Sequence, residues 1–104
     1  MSETDVFRAL ADPTRRAVFE RLAAGPRNAT ALRDGLDISQ PAMSQHLKVL
    51  REAGLVVEAR EGRSVNYSVD PEGLRPLRGW LARYSAFWPA RLDNLQDLLK
   101  EMDQ

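Results

Sequence analysis

One stretch limits the fold more than any other: Asp37-Ile38-Ser39-Gln40-Pro41-Ala42-Met43-Ser44-Gln45-His46-Leu47-Lys48-Val49-Leu50-Arg51-Glu52-Ala53-Gly54-Leu55-Val56. Ser39 is a good N-cap, because its hydroxyl can accept from the free amides of a first helical turn. Pro41 is tolerated in that turn, where no intrahelical donor is needed. Gly54 can take the left-handed conformation that stops a helix. The stretch therefore predicts a helix over residues 40–53. At 100° per residue, Met43, Leu47 and Leu50 share one face, the stripe that packs into a core. Pro41, Ser44, Gln45 and Lys48 lie opposite, and a carboxylate joins them only at the far end, at Glu52. Hydroxyl and amide groups suit base edges and phosphate oxygens, and an ammonium suits phosphate.

The segment just before it fits this reading. Residues 30–36 form a short helical stretch with Leu32 and Leu36 at i, i+4, capped by Asn28, and residues 37–39 make a tight turn. Two helices joined by a short turn, the second polar on its outer face, make a helix-turn-helix. After Gly54, Val57, Ala59 and Val65, Tyr67, Val69 alternate with Glu58, Arg60 and Ser64, Asn66, Ser68. Period two means strands, and Gly62-Arg63 supplies the turn of a two-stranded hairpin. An isolated hairpin is marginal in water, so Val57, Val65 and Tyr67 are expected to lean on the helices.

The run from Ser39 to Val56 resembles the signature of ArsR/SmtB-type winged-helix repressors. Leu10-Ala11-Asp12-Pro13-Thr14-Arg15-Arg16 is similar to the opening of the same family, and the resemblance spans about residues 6–69. It implies a mainly α chain with a small β-hairpin: a single winged helix-turn-helix domain over residues 1–104. The helix-turn-helix would span 29–53, the wing 56–69 and a dimerisation helix 74–102. It also implies a sequence-specific regulator of transcription, a homodimer that represses by occluding a promoter, often its own, at a palindromic operator. The candidate contacts to double-stranded DNA are Ser39, Gln40, Pro41, Ser44, Gln45 and Lys48 on the helix, with Arg60 and Arg63 near the wing tip. The other reading is a helical protein-interaction module that no longer reads DNA.

Charge keeps that alternative open. The net formal charge is zero, which argues against binding polyanions indiscriminately. Residues 1–38 carry six basic and six acidic groups, residues 39–69 four and three, and residues 70–104 five and six. Binding would rest on where a few cations sit. Arg15 and Arg16 open a second capped helix, Asp12-Pro13 onward, with Val18, Phe19 and Leu22 inward and its end at about Ala24. There they can pair with Asp12 or Glu20, or reach a phosphate. Ahead of them Val6, Phe7 and Leu10 mark a short helix over residues 6–11, and residues 1–5 are expected to fray.

Beyond the turn at residues 70–73, Leu74, Leu77, Leu81, Tyr84 and Trp88 recur at three and four. Leu92, Leu95, Leu98, Leu99 and Met102 continue the stripe with a phase shift at Pro89, which should kink or break the helix. A helix of about 29 residues is roughly 43 Å long, more apolar surface than a domain this small can cover. A two-fold copy covers it most simply, through Leu77, Leu81, Tyr84, Trp88, Leu92, Leu95 and Leu99. Trp80, Phe87 and Trp88 are equally compatible with lining a small-molecule cleft there. No run is apolar enough to span a membrane, so a cytoplasmic protein is expected.

The chemistry of a sensor or an enzyme is not evident. The chain has no cysteine and one histidine, His46, beside the buried stripe. The resemblance places the family's metal-binding cysteines on the helix before the recognition helix, and Asn28, Thr30 and Arg33 stand there instead. His46 is expected to be a packed, hydrogen-bonded residue. No metal, no cofactor and no catalytic residue is expected. Zinc, cadmium or arsenite titrated into a protein–operator complex should therefore leave it intact. Release at micromolar metal, reversed by a chelator, would contradict this.

Overall fold

The computed structural model describes residues 2–87. Its elements run α1 (Glu3–Ala11), α2 (Pro13–Ala23), β1 (Arg27–Asn28), α3 (Ala29–Arg33), α4 (Gln40–Glu52), β2 (Val56–Glu61), β3 (Ser64–Val69) and α5 (Arg75–Arg83). Short 3-10 turns cover Pro71–Leu74 and Ser85–Phe87. The helices meet around an entirely apolar core: Val6, Ala9, Val18, Leu22, Leu32, Met43, Leu47, Leu50, Ala53, Leu55 and Val56 are buried. Among the described residues no polar or charged residue joins them. Tyr67 and Val69 pack against this cluster from the sheet, Leu74 from the 3-10 turn and Leu77 from α5.

Each of the first four helices starts on a side-chain cap. Asp12 accepts from the Arg15 amide at 3.0 Å, Asn28 from the Ala31 amide at 2.8 Å and Ser39 from the Ala42 amide at 3.2 Å. α1 differs from the expectation of a frayed start. Ser2 accepts from the Asp5 amide at 3.2 Å while the Asp5 carboxylate accepts from the Ser2 amide at 3.3 Å. This reciprocal pair satisfies two otherwise orphaned donors and carries the helix back to Glu3. The inward residues of α1 are Val6 and Ala9, whereas Phe7 is exposed and turned toward Trp80, ring centroids 5.2 Å apart.

The sheet corrects the expected hairpin in two ways. It has three strands in the order β1-β3-β2, because Arg27 and Asn28 pair antiparallel with Tyr67 and Asn66. Its register also places Val57 on the outer face. The pairs are Val56 with Val69, Val57 with Ser68, Glu58 with Tyr67 and Arg60 with Val65. Directly opposed residues share a face, so Val56 is buried and Val57 is 46 % exposed. Glu58 and Arg60 consequently lie on the face that looks toward the helices, beyond the edge of the core.

The C-terminal part departs from one long helix. α5 ends at Arg83, well before Pro89, and the chain tightens through Tyr84 into the Ser85–Phe87 turn. The amides of Tyr84 and Phe87 donate three residues back, to the carbonyls of Leu81 and Tyr84. Residues three apart eclipse in that geometry, and the Tyr84 and Phe87 rings stack with centroids 6.1 Å apart. Trp88, Leu92, Leu95, Leu99 and the rest of the expected dimerisation helix lie outside the described residues.

Gly73 shows how the α5 region is fixed to the end of α4. A Cβ there would stand 2.1 Å from the Gly54 carbonyl oxygen and 2.9 Å from the Leu55 Cα. Nearby, the Asp70 amide donates to the Leu55 carbonyl at 3.0 Å. Both contacts are backbone on backbone, so neither can give way by a rotamer change. Gly73→Ala should lower stability by about 1–3 kcal/mol, the usual cost of overpacking. Urea unfolding followed by circular dichroism measures this, and an unchanged midpoint would contradict the close approach.

Candidate nucleic-acid interface

The helix-turn-helix is set by its core stripe and by two arginines. Met43, Leu47 and Leu50 on α4 are at most 2 % exposed, as is Leu32 on α3. Between the helices the chain passes through Gly35 at φ +79°, a left-handed position that suits glycine. Arg21 reaches across from α2, and its guanidinium donates to the carbonyls of Leu32 and Asp34. A Cβ on Gly35 would come 3.3 Å from the same guanidinium. Arg33 donates from Nε to the Ile38 carbonyl at 3.2 Å, one residue before the Ser39 cap. The turn is thus tied by charge-assisted hydrogen bonds, which are stronger than neutral ones. The sequence does not single out either arginine, because nothing in their spacing separates a backbone clamp from a solvated side chain.

With the core stripe inward, Gln40, Pro41, Ser44, Gln45 and Lys48 are all exposed on one side of α4, and the cap residue Ser39 is exposed at its start. Arg60 and Arg63 are exposed at the distal end of the wing, where Gly62 takes φ +62° to close the turn. Arg51 ends the same side of α4, and its Nη1 lies 3.0 Å from Oε2 of Glu58 on β2. This contact links the helix to the wing. Neither residue stands among the candidates that motif and periodicity supply, since the pairing depends on how the wing folds back over α4.

Arg15 and Arg16 are committed elsewhere. Arg15 donates to the carbonyls of Ala9 and Arg8, and Arg16 to that of Leu10 at 2.9 Å. They close the C-terminal end of α1, whose last carbonyls have no helical partner. Asp12, between the two helices, has its carboxyl held below the usual carboxylate range. The Arg15 amide does most of this, and the nearby His46 adds to it. His46 is packed, but its Nδ1 is buried with no hydrogen-bond partner among the described residues, unlike the expected hydrogen-bonded histidine.

A model of a helix-turn-helix domain matches residues 10–59. The HTH-type transcriptional regulator Rv2034 of Mycobacterium tuberculosis is 46 % identical over 93 residues, covering 89 % of this chain and 84 % of that protein. The transcriptional repressor SdpR of Bacillus subtilis is 31 % identical over 80 residues, covering 77 % and 89 %. The solved structure of an ArsR-like transcriptional regulator from Rhodococcus sp. RHA1 superposes with a TM-score of 0.71 at 30 % identity, covering 91 % of this chain and 90 % of that one. The chain belongs to the ArsR/SmtB family of winged helix-turn-helix transcriptional regulators.

This ArsR-family chain carries a second exposed surface, away from the α4 face. Leu81, Tyr84 and Phe87 are 44 %, 38 % and 75 % exposed, and Phe7 is 39 % exposed. The rings of Phe7, Trp80, Tyr84 and Phe87 follow one another in contact along α1 and α5. Arg83 grips Glu3 through both oxygens, at 2.7 and 2.8 Å, and so fastens the end of α5 to the start of α1. That bidentate contact holds the Glu3 carboxyl below its ordinary range. Leu77, an expected interface residue, is half-buried against the core of its own chain. Among the described residues no three potential ligands converge as a metal site, and no helix is long and apolar enough to cross a membrane.

Proposed function

We propose that this ArsR-family regulator binds double-stranded DNA as a homodimer and represses transcription by occluding a promoter, acting in the cytoplasm. Ser39, Gln40, Pro41, Ser44, Gln45 and Lys48 face the major groove, with Ser44 and Gln45 at base edges. Arg60 and Arg63 lie on flanking phosphates. The observation that carries this reading is the exposed N-terminal part of α4, which presents neutral hydrogen-bonding groups and Lys48 with no acidic residue before Glu52. That composition suits contacts in which phosphates fix position and base edges give specificity. The relative named as a repressor supports the direction of regulation.

The two elements separate by their dependence on sequence and salt. Gln45→Ala or Ser44→Ala should lose about 1–3 kcal/mol of preference for cognate DNA over a scrambled duplex. Arg63→Ala should weaken both duplexes alike and flatten the salt dependence by about one unit. Binding measured on both duplexes across a salt series decides this. If Arg63→Ala changes base preference while Gln45→Ala does not, the roles are reversed.

The apolar surface of Phe7, Trp80, Leu81, Tyr84 and Phe87 is the proposed contact with the second subunit. One winged helix reaches one half-site, and two half-sites about 34–36 Å apart give tight, palindromic binding. Leu81→Glu puts a charge into that contact twice, by symmetry. The variant should be monomeric by light scattering and lose operator binding while keeping most of its helical signal. A wild-type protein that is already monomeric at tens of micromolar would overturn the assembly.

A further inference from the structure

Arg51 follows Lys48 by three residues and Ser44 by seven, so on α4 it continues the same line one turn further along. Its guanidinium is paired across to the wing, 3.0 Å from Glu58. The strand register explains the reach. Glu58 is opposite Tyr67, on the face that looks toward the helices, and so it overhangs the end of α4. One wing carboxylate therefore sits on a cation of the polar α4 face.

We propose that Glu58 withholds Arg51 from DNA phosphates and so holds down the affinity of the α4 face for duplexes of any sequence. This rests on the reading that the polar face of α4 docks on DNA. A cation placed beside a phosphate releases a counterion whatever the sequence, and an arginine already neutralised by a carboxylate releases none. Such a contact adds equally to cognate and arbitrary duplexes, so withholding it lowers occupancy of the many competing sites without altering base preference. The pair suits this role. Its side chains are 39 % and 45 % exposed, so it contributes little to stability. The carboxylate is nevertheless close enough to cancel the charge of Arg51.

Glu58→Gln keeps the shape of the side chain and removes the charge. Its binding to a scrambled duplex should tighten, and the salt dependence should steepen by about 0.9, the increment of one phosphate contact. The gain should be about threefold larger at 50 mM than at 200 mM salt. In an Arg51→Ala background the same Glu58→Gln change should give no gain. An unchanged scrambled-duplex affinity in Glu58→Gln overturns the proposal. So does a gain of equal size without Arg51, which would mean that Glu58 acts by general repulsion. Lys48→Ala separates this failure from failure of the docking face. If its salt slope is unchanged, α4 does not dock by this side and both readings fall. If it flattens while Glu58→Gln does nothing, the face stands and only the role of Glu58 is lost.

Discussion

Helix α4 has to be buried on one side and open on the other, and most of the structure serves that division. Met43, Leu47 and Leu50 enter a core that also takes Leu32 from α3, Val18 and Leu22 from α2, and Val6 from α1. Burying one such side chain contributes about 1.5–3 kcal/mol, so rolling α4 by even a third of a turn would forfeit several of these terms at once. The core therefore sets the roll of the helix. Its position along its axis is set by other means: the Ser39 cap at one end, and at the other the left-handed Gly54, φ +78°, with Gly73 packed against its carbonyl. The polar groups of Ser44, Gln45 and Lys48 are aimed outward as a consequence of what is buried behind them.

The helices are legible in the sequence because their signals are local. A cap, a proline in the first turn and an apolar stripe all lie within one element, and together they locate α2 and α4 to within about a residue at each end. The register of the wing is not read from alternation alone, although the sequence contains it. A two-residue turn at Gly62-Arg63 sets Glu61 opposite Ser64. Counting back along the strands, odd-numbered residues of β2 then face even-numbered residues of β3. The apolar residues Val57, Ala59 and Val65, Tyr67, Val69 are all odd, so they cannot share one face. Alternation describes each strand correctly, but only the turn couples the two strands. Strand β1 is a different case. Two residues carry no period, and Arg27-Asn28 becomes a strand only because the edge of β3 is within reach.

The α5 region differs from its sequence expectation because a leucine stripe reports which residues want burial and not how the backbone connects them. The spacing of Leu77, Leu81 and Tyr84 suits an α-helix. The observed helix nonetheless closes at Arg83, where Arg83 takes Glu3 and the Phe7–Trp80–Tyr84 rings bring α1 alongside. The ion pair joins residues 80 positions apart in the chain, and the Phe7–Trp80 contact spans nearly as many. No window of sequence contains both partners, so neither the ion pair nor the Phe7–Trp80 contact can be anticipated from it. The candidate site is legible to the same degree and for the same reason. Its exposed α4 residues follow from one helix, whereas Arg21, Arg33 and Glu58 act on it from other elements.

The same distinction resolves the difficulty raised by a net charge of zero. Counting charges treats every arginine as available to an anion. In the folded chain Arg15 and Arg16 serve the end of α1, and Arg21 and Arg33 serve the end of α3 and the turn beyond it. Helix C-termini carry partial negative charge on unpartnered carbonyls, and a guanidinium can satisfy two of them with one side chain. Much of the positive charge in the first half of the chain is therefore engaged by its own backbone. The exposed α4 face and wing keep Lys48, Arg60 and Arg63, with Arg51 held by Glu58. A surface with so few free cations attracts any polyanion only weakly, so discrimination must come from neutral donors and acceptors such as those of Ser44 and Gln45. Low net charge then lowers affinity for every duplex alike and leaves base preference to those neutral groups, so it weighs less against DNA binding than composition alone suggests.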